Sequence, residues 1–274
     1  MSERLVRYFK YLWRDSSSFD PRLFLYLNNR ISSNMNYTSL KNLFKNKSCY
    51  CIGTGPSLDL IDTSLIKDSI VLLLNSAYHL YNSLDSSNIV FWFSIDSGFI
   101  SRNITLIPSS LPAILIPNGF RYYGTYKNLT RPTDIIFFPT LSLRRGHRFG
   151  FPNLRPKLVS LVDVNNGNYF KSFRTPIFPH TVMLNAIALA SKFQSSSIIA
   201  IGFDCPSAKA EKNYTYSSLI NSFINSNNRG FNTDQIESYL QALNSYSESI
   251  GSKIFNWSPL STLKSIHKVQ TIDW

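Results

Sequence analysis

A chain of 274 residues with 43% hydrophobic and 14% aromatic content can bury a full core, as one large domain or as a domain with a subdomain, and it is not a disordered protein. No run approaches the roughly 20 apolar residues that span a bilayer, and the N-terminal MSERLVRYFKYLWRD lacks the uninterrupted apolar core of a signal peptide, so a cytoplasmic location is expected. The formal net charge of +12 asks for an anionic partner, but no nucleic-acid recognition module accompanies it.

Residues 1–47 are expected to form a helical and irregular arm. Within residues 4–14, at 100° per residue, Leu5, Tyr8, Phe9, Leu12 and Trp13 share one face while Arg4, Arg7, Lys10 and Arg14 share the other. This basic amphipathic pattern suits an anchor on an anionic membrane surface, or a helix whose apolar face packs on the protein's own core. Strand-like runs follow at 48–53, 69–75, 89–95, 113–117, 135–138, 197–203 and 253–256, and helix candidates at 58–66, 76–84, 181–194 and 234–250. Continuous apolar strands alternating with helices predict an α/β fold, a mainly parallel sheet covered on both faces. Residues 140–180 and 205–233 are long, polar and irregular, suited to lids or a small subdomain. The cluster Arg144, Arg145, His147, Arg148, Arg155 and Lys157 reads as a loop that grips an acidic group or is simply solvated. Cys49 and Cys51 lie two apart on one strand, far from Cys205, so buried free thiols are expected and no zinc or disulfide pattern is present.

The chemistry gathers at the strand ends, where ligands of such sheets bind. The first strand runs into Gly53, Thr54, Gly55, Pro56 and Ser57. The glycines allow a sharp turn and close approach to a phosphate, and Ser57 is placed to cap the next helix; a tight connection with no ligand is the alternative. Asn75 and Ser76 end the second strand, Asp96 and Ser97 the third, and Gly202 to Asp204 the sixth. Asn75 can donate and accept toward a base or ribose, or it terminates the strand; Asp96 can bind ribose hydroxyls.

In order along the chain, GTGPSL with Asp62, strand-terminal Asn75, the helix HTVMLNAIALASKF, the strand end IIAIGFD and FNTDQIESYLQAL resemble the bacterial sialyltransferases of glycosyltransferase family 42. The resemblance spans residues 48–260 and is patchy between 100 and 172. It implies a modified Rossmann-like domain of GT-A-like architecture over 48–274, with a lid around 205–233. It also implies an inverting transfer from a CMP-linked nonulosonate, without a metal or other cofactor. On that basis Gly53, Thr54, Gly55 and Asn75 contact CMP, with Pro56, Ser57, Ser76 and Gly202 completing the nucleotide site. Asp96 stands near the sugar, Asp204 follows its strand as in the family, and Tyr214 and Tyr216 lie in the lid to assist phosphate departure.

The family's histidine base is absent: upstream of Asn232 this chain has Arg229, Gly230 and Phe231, and Phe178, Pro179 and His180 replace the usual Thr-Ser-Gly before the helix. His180 is then a base, a phosphate contact or a cap, with Asp204 and Asp96 as alternative bases. The expected function is transfer of a sialic-acid-like or Kdo-like sugar to a bacterial surface glycan, of lipopolysaccharide, O-antigen or capsule, with the arm on the inner face of the membrane. A pterin-type ATP-dependent pyrophosphokinase, or a nucleotide-binding scaffold without catalysis, stays open, as does a homo-oligomer.

Overall fold

The computed structural model describes residues 37–103, 111, 113–117, 134–138, 140–142, 175–177, 181–204 and 233–269. Eight strands form one sheet: β1 (Ser48–Ile52), β2 (Ile70–Leu74), β3 (Ile89–Phe93), β4 (Ala113–Pro117), β5 (Asp134–Phe138), β8 (Ser197–Ile201), β9 (Lys253–Trp257) and β10 (His267–Lys268). Their spatial order is β10-β9-β8-β1-β2-β3-β4-β5, and every neighbouring pair is parallel. The α/β expectation therefore holds.

The strand sequences explain the architecture. SCYCI, IVLLL, IVFWF and SIIAI are apolar at almost every position because both faces of the sheet are covered. The two-residue period sorts them into two cores. Cys49, Cys51, Leu72, Leu74, Phe91 and Phe93 face one side, under α3 (Val182–Lys192) and α4 (Thr233–Ser249); Tyr50, Ile52, Val71, Leu73 and Trp92 face the other. Cys49 and Cys51 are buried free thiols, as expected.

α3 is buried almost all round, so VMLNAIALASK carries no polar face of its own. Thr181 caps it by accepting from the Met183 N–H at 3.1 Å. α4 lays Ile236, Leu240 and Leu243 on the same core, with Ser247 Oγ 2.7 Å from Ser191 Oγ of α3.

Four sequence expectations change. First, α1 (Tyr37–Phe44) belongs to the core: Leu40 and Phe44 are fully buried, and Phe44 stacks on Phe91 and meets Phe193 edge-on, so the domain begins before residue 47. Second, the segments after β1 and β2 are 3₁₀ helices, Pro56–Leu60, Thr63–Leu65 and Asn75–Ser83. Third, α2 (Ser97–Asn103) follows β3 directly. Fourth, the stretch 140–180 contains β6 (Thr140–Ser142) and β7 (Thr175–Ile177), which pair in parallel as a second small sheet.

Candidate functional site

The strand order reverses between β1 and β8, since β2 to β5 are added on one side of β1 and β8 to β10 on the other. The crevice outside the carboxyl ends of the strands at such a point is where ligands of open parallel sheets bind. The two turns that leave β1 and β8 interlock there. The Gly53 N–H donates to Ile201 O at 2.8 Å, and the Gly55 N–H to Gly202 O at 3.1 Å.

Space, not an unusual dihedral, demands glycine at 55. Its φ is −67°, accessible to any residue, but a Cβ there would overlap Asp204 Oδ2 and Gly202 O and stand 2.9 Å from Gly202 C. Gly202, by contrast, has a φ of +66° and faces Gly53 across the same contact.

Asp204 closes the interlock. The Ser57 N–H donates to its Oδ2 at 2.8 Å and the Ser57 hydroxyl donates to its Oδ1. The Leu260 N–H in turn donates to Ser57 Oγ at 2.9 Å, the Thr262 N–H to Asp204 O at 3.3 Å, and the Phe203 N–H to Ser258 Oγ at 2.9 Å. A carboxylate from the end of β8 thus takes the place at the start of the 3₁₀ helix that an anion would favour. Burial pushes the Asp204 carboxyl above its usual range, opposed by the Ser57 hydrogen bonds and the Lys268 charge. Asp204 is only 3% exposed.

This narrows the expected amide cradle for phosphate. The N–H groups of Gly53, Gly55 and Ser57 all point at protein acceptors, and proline has none at 56. Nor does the Ser57 side chain cap the following helix, whose first residue outside is Gly55 with no side-chain cap. Thr54, half-buried, is the member of this turn with a hydroxyl not tied into the Ser57–Asp204 interlock.

A second group stands one and two strands away. Asn75 adopts the left-handed conformation, φ 49°, which asparagine tolerates better than most side chains. Two residues of the β3 end grip it: Trp92 Nε1 donates to Asn75 O at 2.6 Å, and Ser94 Oγ donates to Asn75 Oδ1 at 2.8 Å. The Asp96 N–H donates to Ser94 Oγ at 3.3 Å. Asp96 is exposed, and its Oδ1 accepts from the Phe99 N–H at 3.2 Å, so it caps α2. Ser76 is buried at the start of the 3₁₀ helix that Asn75 opens.

The structure therefore brings Gly53, Thr54, Gly55, Pro56, Ser57, Gly202 and Asp204 together at adjoining strand ends, with Asn75, Ser76 and Asp96 on the strands beside them. His180, Tyr214, Tyr216 and the basic residues 4–14 and 144–157 lie outside the described residues. Sequence reasoning missed Ser94 and Trp92. Their signal was present: Ser94 is the first polar residue after IVFWF, and it shares a sheet face with Trp92. Among the described residues, no three His, Cys, Asp or Glu side chains cluster as metal ligands, and no helix is long and apolar enough to cross a membrane.

No protein-family model matches the chain, and no curated protein matches it. Among solved structures, the monofunctional α-2,3-sialyltransferase Cst-I from Campylobacter jejuni is 15% identical with a TM-score of 0.47, over 85% of this chain and 82% of that one. The sialyltransferase CstII from Campylobacter jejuni in complex with cytidine-5′-monophosphate is 17% identical with a TM-score of 0.46, over 83% of this chain and 86% of that one. The same enzyme with CMP-3FNeuAc gives 17% identity and a TM-score of 0.45, over 82% and 86%. In structure, the chain is similar to bacterial sialyltransferases.

Proposed function

We propose that this protein is an inverting glycosyltransferase that moves a sialic-acid-like or Kdo-like nonulosonate from a CMP donor to a bacterial surface glycan, of lipopolysaccharide, O-antigen or capsule. The observation that carries the reading is the pairing of Asn75 and Asp96 through Ser94, on the strands next to the GTGPS turn and at the open ends of a parallel sheet. The order of motifs along the chain, from GTGPSL to NTDQIESYLQAL, supports it as well.

In this reading Thr54 and Asn75 hold the nucleotide, and the exposed Asp96 faces the sugar. A base takes the proton of the acceptor hydroxyl as its oxygen attacks the anomeric carbon, and the bond to CMP breaks with its electron pair leaving on the phosphate. His180 serves as base or phosphate contact, and Tyr214 and Tyr216 hydrogen-bond the departing phosphate. Asp204, both of whose oxygens are engaged by Ser57, shapes the turn and leaves the open carboxylate role to Asp96. The basic residues Arg4, Arg7, Lys10 and Arg14 hold the enzyme against the anionic cytoplasmic face of the membrane, where a lipid-linked acceptor is within reach.

Calorimetry of CMP without metal, set against ATP with magnesium, tests the proposal. Micromolar CMP binding with no ATP binding is expected. Binding of ATP with magnesium alone would turn the reading to a pyrophosphokinase, and binding of neither would overturn the CMP-donor reading.

A further inference from the structure

Ser94 is fully buried, yet its single hydroxyl meets both Asn75 and Asp96. A serine hydroxyl has one proton and two lone pairs. The Ser94 hydroxyl donates its proton to Asn75 Oδ1 and accepts the Asp96 N–H on a lone pair. A flipped carboxamide would place its NH₂ against that oxygen and leave the buried hydroxyl proton without its acceptor. Ser94 therefore fixes which end of the Asn75 amide faces β3. The NH₂ is then the end of the amide that Ser94 does not engage.

The grip has a second point. Trp92, also fully buried, holds Asn75 O through its indole N–H, so that backbone and side chain are both set by β3 before any ligand arrives. A residue fixed at both ends presents its donor with little further loss of freedom on binding.

We infer that Ser94 is a positioning and specificity-determining residue: through its hydrogen bond to Asn75 Oδ1 it makes position 75 a fixed hydrogen-bond donor that reads an acceptor atom of the ligand. Resting on the nucleotide reading above, the matching groups are a ribose oxygen or the carbonyl of a pyrimidine. A base edge that presents an N–H at this point is rejected, because two donors then face each other.

The test combines a ligand-free signal with CMP binding in the full chain. The Asn75 side-chain amide resonances, assigned by their loss in Asn75→Ala, are expected as one sharp pair in the wild type and as a shifted, exchange-broadened pair in Ser94→Ala. Ser94→Ala is expected to weaken CMP binding about five- to tenfold, but less than twofold when introduced into Asn75→Ala. Asn75→Asp keeps an acceptor for Ser94 and replaces the outward donor by an oxygen, so it is expected to lose CMP binding at least as fully as Asn75→Ala. Unmoved Asn75 resonances in Ser94→Ala, equal losses from Ser94→Ala in both backgrounds, or wild-type CMP affinity in Asn75→Asp would overturn the inference. If the resonances respond as expected while the wild type fails to bind CMP, the nucleotide reading falls and the positioning role stands.

Discussion

Gly55 and Asp204 are fitted to each other: the space for a glycine Cβ is already filled by the aspartate's Oδ2, although the two residues come from the ends of different strands. Gly55→Ala should therefore push Asp204 off Ser57 and lower stability by about 3 kcal/mol. Gly53→Ala is milder, about 1 kcal/mol, because its nearest neighbours stand at 3.1 Å and one of them is the flexible Met183 methyl. Urea denaturation of the two variants gives the comparison. Equal losses would show that the interlock of the turns is not what demands glycine.

The Asp204 carboxyl provides a pH signature. Its folded pKa is raised above the ordinary 3.8, so folding favours the protonated form, and that contribution is whole below about 3.8 and declines as pH rises through the raised folded value. Asp204→Asn removes the titration. Thermal melts between pH 3 and 7 should show the wild type losing ground to Asp204→Asn as pH rises through the acid range. Curves that stay parallel would argue against a carboxyl shifted by burial.

Lys192, at the end of α3, has its ammonium pushed down to about 8 by burial, with Lys41 adding repulsion. A lowered lysine pKa means that folding favours the neutral amine, so its contribution is present above 10.5 and disappears as pH falls through about 8. Stability should rise between pH 8 and 10.5, and Lys192→Met should flatten that rise by about 2 kcal/mol. A wild-type profile with the same slope as the variant would reject the assignment.

The arm makes a prediction on surfaces instead of pockets. Replacing Arg4, Arg7, Lys10 and Arg14 by glutamine should abolish cosedimentation with vesicles containing phosphatidylglycerol and leave CMP affinity unchanged. Retained sedimentation would mean that these four cations do not hold the protein to anionic lipid.

The central strands were legible to within a residue or two because SCYCI, IVLLL and SIIAI must be buried on both faces, and few other structures tolerate such runs. The 3₁₀ helices were less so. In NSAYHLYNS the polar residues compete for the backbone and are poor α-helix formers, and Pro56 cannot extend a helix backward. β6 and β7 are only three residues each and carry no alternation to detect. α2 was hidden behind Asp96, which reads as a ligand group when its carboxylate also caps a helix. At the site, the residue types at the strand ends were visible, but their partners were not. Ser57 meets Asp204 across 147 residues and Leu260 across 203, separations on which local sequence patterns are silent.

Those separations impose an order on synthesis. β1 lies between β2 and β8, so the growing chain can pair only one of its edges until residues 197–201 have been made. Through that interval an almost wholly apolar strand has an open row of backbone donors and acceptors, a template for pairing with any other chain nearby. The GTGPS turn matures later still, since Ser57 waits for the Leu260 amide. A ribosome stalled before that point would hold a chain whose first strand-end turn, though made early, is still incomplete.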